Sequence, residues 1–244
     1  MTLASRMNEL IRAGFSGIWI SSQEHQDAIA ELAAMARDEG WQLATWNIER
    51  GLHAVGNIAI TAEASDPLAA VRAAATPAGD DATSIFVLEN FHRFLGSAEI
   101  VQAISHAVFL GKLNRSFIVI LSPTVQLPPE LEKLFVTVEH ELPGRDQLLE
   151  IAQGIATEIG ELPDGRELDD VLDAASGLTR YEAEGAYSLS LVRNGKLTPA
   201  AIWELKTQTL KKSGLLSLYR GGNSFESLGG LNILKAFTRR ALVH

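Results

Sequence analysis

The sequence contains no cysteine among its 244 residues. Disulfide bonds and thiolate metal sites are therefore excluded, and the composition fits a reducing compartment. Long apolar runs are also missing, since runs such as Phe117 to Leu121 are far shorter than the roughly 20 residues that cross a bilayer. The first residues include Arg6 and Glu9 and lack the apolar core of a signal peptide. We therefore expect a cytoplasmic protein with no membrane partner.

Positive charge is scarce as well. The chain has 21 Lys and Arg residues against 30 Asp and Glu residues, which gives a formal net charge of -9. A charge of this sign repels phosphate backbones, and no basic stripe with interleaved aromatic residues is visible. We therefore expect no nucleic-acid partner.

Three motifs that would indicate chemistry are missing. The phosphate-binding loop reads G-x-x-x-x-G-K-[ST], because backbone amides and a lysine surround the phosphates while the hydroxyl holds magnesium. Gly51 and Gly56 have the right spacing, but Asn57 and Ile58 stand where the lysine and the hydroxyl are needed. We interpret this segment as a turn. Without a histidine pair at zinc-site spacing or a G-x-S-x-G motif, we expect neither catalytic residues nor a metal site.

Hydrophobic periodicity predicts alternating helices and strands in the first 143 residues. Helices are predicted over residues 3–13, after residue 21 to residue 37, over 66–75 and 100–110, with a further helix start within 127–134. Strands are predicted over residues 15–20, 42–48, 57–61, 84–88, 116–121 and 135–140. Strands separated by helices in this way indicate the α/β class, with a parallel sheet and helices on both faces.

The pattern changes after Pro143. Helical spacing alone is present over residues 145–160, 167–175, 179–192 and 199–212, and a Gly/Asn/Ser linker at 221–224 precedes one more amphipathic helix. We therefore predict three parts. They are an α/β core over residues 1–143, a small helical subdomain over 144–219, and a linker with a helix over 220–244.

The end of the first strand is where this class of sheet usually binds an anion, at the N-terminus of the following helix. Ser21 and Glu24 form the pattern S-x-x-E there, in which a hydroxyl and a carboxylate cap a helix start reciprocally. We expect this pair to satisfy the free amides, and a carboxylate in the first turn also repels phosphate. The anion site is therefore predicted to be closed.

The stretch SIFVLENFHRFL, residues 84–95, is a buried strand that ends in Glu89 and Asn90. A nucleotide hydrolase needs one carboxylate for magnesium and a second one to orient the attacking water. Asn90 cannot accept a proton from that water. We interpret Glu89 and Asn90 as groups that cap the sheet edge and tie down the next loop, with magnesium binding by Glu89 as the alternative.

Several segments in order resemble those of AAA ATPases. LPGRDQLLEIAQ (142–153) and ASGLTRYEAEGAY (175–187) resemble the two ends of the helical lid, and PPELEKLFVTVEHELP (128–143) resembles the last core strand. SIFVLENFHRFL and SFIVILSP stand where the Walker B and sensor-1 strands would be. FESLGGLNILKAF (225–237) is similar to the start of a second AAA core.

The resemblance is most specific to plastid and cyanobacterial AAA ATPases of the hypothetical chloroplast frames, in which a degenerate N-terminal AAA-like domain precedes an active one. The segments that carry it are Trp46 to Leu52, Asp66 to Ala70, Val87 to Leu95 and Lys211 to Leu216. It implies a P-loop-NTPase-like (AAA+) sheet followed by a helical lid.

The resemblance also implies positions for a degenerate nucleotide site. These are Walker A at Ser21, Ser22 and Glu24, Walker B at Glu89 and Asn90, sensor 1 at Ser122, and the lid at Thr179 and Arg180. Because Walker A is missing, we expect no cofactor in this chain, no sensor or arginine-finger role for Arg180, and ATP and magnesium only in the longer parent protein.

We therefore expect a non-hydrolysing pseudo-ATPase module of a longer AAA+ ATPase. It would act in oligomer assembly, as a homo-oligomer or among ring neighbours, or in docking a protein client, while a C-terminal core hydrolyses ATP. Two alternatives remain open. One is a domain that binds nucleotide weakly with Glu89 on magnesium, and the other is a stand-alone adaptor.

Overall fold

The computed structural model describes residues 2–55, 64–75, 82–212 and 231–242. The chain divides into two compact units. The first comprises Met1–Leu148 with Gly177–Glu182, and the second comprises Leu149–Ser176 with Ala183–His244. The candidate site lies in the first unit.

The first unit is built on a sheet of six strands among the described residues, in the order β3-β2-β4-β5-β1-β6. The strands are β1 (Gly17–Ser21), β2 (Gln42–Asn47), β3 (Gly51–Ala54), β4 (Ser84–Glu89), β5 (Ser116–Ser122) and β6 (Val136–Glu139). Neighbouring strands are parallel except β2 and β3, which are antiparallel. The central strands β4 and β5 are nearly continuous apolar runs because both of their faces are covered.

Helices cover both faces of this sheet, as the sequence predicts. They are α1 (Leu3–Arg12), α2 (His25–Glu39), α3 (Pro67–Ala74) and α4 (Ala98–Asn114), with a 3₁₀ turn at Phe91–Phe94. Successive side chains of a strand point to opposite faces. Ile18 and Ile20 of β1 therefore lie in the core beneath α1 and α2, whereas Trp19 lies with Trp46 in the core beneath α3 and α4.

Two helix ends follow from local signals in the sequence. The side chain of Asp66 caps α3 by accepting a hydrogen bond from the N–H of Ala69 at 2.9 Å, and Pro67 occupies the first turn, where no donor is needed. Gly40 ends α2 in the left-handed conformation, with φ of 68°.

The remaining helices are α5 (Arg145–Ile155), α6 (Gly165–Ala175), α7 (Arg180–Asn194), α8 (Pro199–Lys212) and α9 (Asn232–Leu242). In the described part of the chain after Pro143 there is no strand, as predicted. The ammonium of Lys206 on α8 donates to the carbonyls of Ala174 and Ser176 at 3.2 and 2.6 Å. It thereby satisfies carbonyls at the end of α6. None of the described helices is both long and apolar enough to span a bilayer.

The helix start predicted within residues 127–134 is wrong. This segment forms successive turns, in which Leu131 donates its N–H to the carbonyl of Pro128 and Leu134 donates to Leu131, both at 2.9 Å. Leu131 is fully buried in the core beneath α3 and α4. The segment packs there as turns and does not continue as a helix.

The turn predicted at Gly51 to Gly56 is also wrong for its described residues. Gly51 to Ala54 form β3, which pairs with β2 at the edge of the sheet. Gly51 has φ of 70°, and a Cβ atom there would lie 2.9 Å from the carbonyl oxygen of Ala64. A glycine is therefore needed for close backbone approach as well as for its φ angle. The strand predicted over residues 57–61 lies outside the described residues.

Candidate functional site

The carboxyl ends of the parallel strands form the edge at which open α/β sheets bind ligands. β4 ends at Glu89, β5 at Ser122 and β1 at Ser21, and these strands are neighbours in the sheet. The structure therefore brings three of the sequence-predicted positions to one edge.

The connection from β1 to α2 is too short for a phosphate-binding loop. It consists only of Ser22, Gln23 and Glu24, because α2 begins at His25, and it contains no glycine. The hydroxyl of Ser22 accepts the N–H of Glu24 at 2.9 Å, and the N–H of Ser22 donates to the carbonyl of Ser122 at 3.0 Å. The connection closes on itself and cannot surround a phosphate as the glycine-rich loop does.

The predicted reciprocal cap between Ser21 and Glu24 is wrong. Ser21 is the last residue of β1, paired in register with Ser122 on one side and Glu139 on the other. Glu24 is the residue at the N-cap position of α2, and its side chain makes no cap hydrogen bond there. Because the strand continues through Ser21, the helix begins later than the S-x-x-E pattern requires, and Ser22 supplies the hydroxyl.

Glu24 instead contacts a residue far away in the chain. Its side chain is buried, since the residue is only 8% exposed, and its carboxylate accepts the backbone N–H of Arg180. Burial raises the pKa of Glu24, the hydrogen bond from Arg180 opposes that rise, and the charge of Asp27 adds to it. The guanidinium of Arg180 meets the carboxylate of Asp27 at 3.0 Å. Two acids at the start of α2 therefore hold the backbone and the side chain of Arg180.

A reciprocal cap does occur in this chain, at the start of α7. The N–H of Glu182 donates to the hydroxyl of Thr179 at 3.2 Å, and the N–H of Thr179 donates to the carboxylate of Glu182 at 3.0 Å. This pair does not use the N–H of Arg180, the first residue of α7, which Glu24 accepts. The pattern T-x-x-E at 179–182 is as visible in the sequence as S-x-x-E at 21–24, and sequence reasoning missed it.

Glu24 therefore stands at the start of α2 while its carboxylate binds the start of α7. Glu24 is the N-cap residue of α2, and its side chain accepts the first amide of α7. The N-terminus of a helix carries a partial positive charge and favours an anion. A negative group of the protein itself occupies this environment.

His140 is a second residue whose role the sequence did not predict. The alternation of Glu139, His140 and Glu141 in the sequence indicates a solvated strand edge, but the His140 side chain is only 7% exposed. Its Nδ1 lies 2.7 Å from the hydroxyl of Ser22, and its Nε2 lies 3.5 Å from a carboxylate oxygen of Glu31. His140 thus joins the β1–α2 connection to α2.

Ser22, His140 and Glu31 form a serine–histidine–carboxylate chain of contacts. Such chains also occur in hydrolases, where the serine attacks the substrate. Ser22 is only 3% exposed, and its hydroxyl already accepts the N–H of Glu24. A substrate cannot reach this oxygen. The arrangement around Ser22 therefore supports the local structure and does not form a nucleophilic site.

At the end of β4, the carboxylate of Glu89 accepts a hydrogen bond from the side chain of Asn47 at 3.0 Å. Asn90 adopts the left-handed conformation, with φ of 53°, and its N–H donates to the carbonyl of Leu121 at 2.8 Å. Burial lowers the pKa of the nearby His25, although the charge of Glu89 opposes this shift. The contact of Glu89 with Asn47 joins β4 to β2, and the contact of Asn90 with Leu121 joins it to β5.

The described residues offer no cluster of three or more metal-ligating side chains. Ser122, which stands at the sensor-1-like position, is fully buried and donates its hydroxyl to the carbonyl of Thr124 at 2.8 Å. Its side chain is thus used by the next turn of the chain.

A cavity of about 310 Å³ lies beside α2 in the first unit. Its charged and titratable lining residues are Glu24, Asp27, Glu31, Glu141, His140 and Arg180. Four carboxylates against one guanidinium repel a triphosphate by Coulomb interaction. The charges that line the cavity therefore disfavour the phosphates of a nucleotide.

Two family models match the chain. The N-terminal domain of SpoVK-like AAA ATPases matches residues 3–140, and the second domain of the same proteins matches residues 146–213. An uncharacterized AAA domain-containing protein, ycf46 from Trieres chinensis, is 20% identical over 160 residues, which are 64% of this chain and 32% of that protein. The chain thus spans about a third of this relative's length.

Solved structures resemble the chain in fold. C. elegans PCH-2 has a TM-score of 0.52 at 11% identity, covering 85% of this chain and 67% of that one. Domain III of the Thermotoga maritima replication initiation protein DnaA has a TM-score of 0.50 at 12% identity, covering 83% and 88%. The predicted P-loop-NTPase-like fold and the resemblance to AAA proteins of plastid and cyanobacterial type are confirmed.

Proposed function

Because the chain belongs to the family of SpoVK-like AAA ATPases, we propose that it is a pseudo-ATPase module. It does not hydrolyse ATP and acts in assembly with ring neighbours or copies of itself, or in docking a protein client. ATP and magnesium are used by a separate core of the longer parent protein. We expect the cytoplasm as its compartment.

The position of Glu24 is the observation that carries this proposal. Its carboxylate lies at the N-termini of α2 and α7, where the fold otherwise favours an anionic ligand. A triphosphate would meet this carboxylate and that of Asp27, and both interactions are repulsive. The short connection after β1 also supports the proposal, because the N–H groups of Ser22 and Glu24 already donate to oxygen atoms of the protein.

The assignment of hydrolysis to another part of the parent is supported by two observations. The chain covers 32% of its relative from Trieres chinensis, and α9 exposes large apolar side chains in the structure. These are Ile233, Leu234 and Phe237, and Leu231 just before the helix is exposed as well. An exposed apolar face of this kind is suited to packing against another domain, as expected if residues 220–244 form a linker and the first helix of a second AAA core.

The assembly role is supported by an apolar pair on α4. Phe109 and Leu113 are one helical turn apart and therefore neighbours on the helix surface. They are 61% and 81% exposed. Neighbouring large apolar side chains at a surface are suited to a protein partner.

Titration calorimetry with ATP and with ADP, each with magnesium, tests the absence of nucleotide binding. We expect no heat of binding up to millimolar nucleotide, whereas an AAA protein with a complete G-x-x-x-x-G-K-[ST] motif serves as the positive control. Micromolar affinity would contradict the proposal. If that affinity were lost in Glu89→Gln, the alternative of a weak nucleotide site with magnesium on Glu89 would replace it.

Sedimentation velocity over a range of concentrations tests assembly. We expect the wild-type chain to associate and the double substitution Phe109→Ser with Leu113→Ser to shift the distribution toward the monomer. Val192→Ser is the control, because Val192 is an apolar residue on a helix of the other unit and is at least as exposed as Phe109 and Leu113. A wild-type chain that stays monomeric at every concentration would contradict self-assembly and favour a stand-alone adaptor.

A further inference from the structure

We propose that Glu24 and Asp27 together replace a bound nucleotide as the group that fixes the segment Gly177–Glu182, so that the start of α7 is held by carboxylates of the protein itself. The inference deepens the proposed function and rests on it, because it takes the nucleotide position to be filled by the protein. In addition, it gives Glu24 and Asp27 a role, which is to hold the start of α7. The position of this segment does not depend on ligand.

The segment is held by two polar contacts within the first unit. The backbone N–H of Arg180 donates to Glu24, and the guanidinium of Arg180 pairs with Asp27 at 3.0 Å. The side chain of Leu178 in the same segment is buried. A hydrogen bond to a charged acceptor is stronger than one between neutral groups. Glu24 therefore holds the backbone of Arg180, and Asp27 holds its side chain.

The shape of the segment comes from its own sequence. Gly177 has φ of 80°, a conformation that favours glycine, and the reciprocal cap of Thr179 and Glu182 fixes the first turn of α7. Since the cap uses the amides of Thr179 and Glu182, it leaves the intervening amide of Arg180 for Glu24. The segment is pre-shaped to present one N–H to an anion.

The charges balance locally. The guanidinium of Arg180 neutralises Asp27, and the partial positive charge at the start of α7 stabilises the carboxylate of Glu24. Burial nevertheless raises the pKa of Glu24, and the hydrogen bond from Arg180 opposes that rise.

Hydrogen exchange of the full chain, followed by mass spectrometry, tests this proposal. Peptides covering residues 177–182 should be protected, and their protection should be unchanged by millimolar ATP with magnesium. In the double substitution Glu24→Ala with Asp27→Ala, exchange of this segment should become roughly tenfold faster or more, since charge-assisted hydrogen bonds are lost. Glu31→Ala is the matched control, because it removes a carboxylate from the same helix and should leave the segment protected.

Two further variants separate the hydrogen bond from the ion pair. Glu24→Gln keeps an acceptor for the N–H of Arg180 and should retain most of the protection, whereas Arg180→Ala removes the pairing with Asp27 and should lose part of it. Arg180→Ala leaves both acids in place, so it also gives the answer if the double substitution fails to fold. Protection that stays at the wild-type level in both Arg180→Ala and the folded double substitution would overturn the proposal.

The outcome with ATP distinguishes this proposal from the proposed function. If ATP bound the wild-type chain and increased the protection of residues 177–182, both would be overturned. If calorimetry showed ATP binding while exchange of the segment stayed unchanged, the pseudo-ATPase proposal would fail and the fixed position of the segment would stand.

Discussion

Replacing Gly111 by alanine tests whether close packing of α4 on the start of β5 sets the geometry of the sheet. A Cβ atom at residue 111 would lie 2.1 Å from the carbonyl oxygen of Ser116 and 3.0 Å from the Cβ of Ser16. Neither atom lies at the end of a flexible side chain. The helix itself would therefore have to move away from β5.

The size of the effect follows from two opposing terms. Alanine is favoured over glycine inside a helix by about 1 kcal/mol, whereas overpacking that forces the backbone to move costs about 3 kcal/mol. The free energy of unfolding should therefore fall by about 2 kcal/mol. In a chain of this size each kcal/mol lowers the melting temperature by about 2–4 °C, so a fall of about 4–8 °C is expected.

Urea unfolding followed by circular dichroism measures this change. Gly185→Ala is the matched control, because Gly185 lies inside α7 and a Cβ atom there would meet no atom within 4 Å. The control should raise the free energy of unfolding by about 0.5–1 kcal/mol. If Gly111→Ala were as stable as the wild type while Gly185→Ala was stabilised, the packing argument for α4 would be refuted.

Three other predictions follow from the polar contacts. Burial raises the pKa of Glu24 above 4.5, so the folded chain takes up a proton at Glu24 at a higher pH than the unfolded chain does. The stability of the wild type relative to Glu24→Gln, measured from urea midpoints, should therefore rise as the pH falls from neutral toward 4.5. A difference that falls over this range would contradict the prediction. Tyr187→Phe removes a fully buried hydroxyl that has no hydrogen-bond partner among the described residues, so thermal unfolding should show a gain of about 1 kcal/mol, and a loss would show that the hydroxyl is paired. Ser22→Ala leaves the N–H of Glu24 and the ring of His140 without their partner and should lower the free energy of unfolding by about 1–3 kcal/mol in the same assay, whereas unchanged stability would show that these bonds contribute nothing.

Local signals made much of the fold predictable. Asp66 and Pro67 specify the start of α3 through a side-chain cap and a fixed φ angle. The apolar run of β5 specifies a strand buried on both faces. By contrast, β3 has four residues and begins with a glycine, so its sequence indicates a turn, and only its pairing with β2 makes it a strand.

The candidate site was predictable only in part. The sequence indicates that the β1–α2 connection lacks a phosphate-binding loop and that Glu24 stands there, because both facts concern neighbouring residues. The partner of Glu24 lies 156 positions away, and no spacing rule links the two. Asp27 and His140 were missed for the same reason, since each acts through a residue brought near by the fold.

The outermost strands of the sheet, as far as the structure describes it, bear on how this protein could join another chain. β3 and β6 have four residues each, and β3 already donates the N–H of Leu52 to the carbonyl of Ala64 on its outer side. On β6, Thr137 and Glu139 are exposed to solvent, and such short, charged borders discourage strand addition. At these two described strands, continuous sheets running from one subunit to the next are therefore disfavoured.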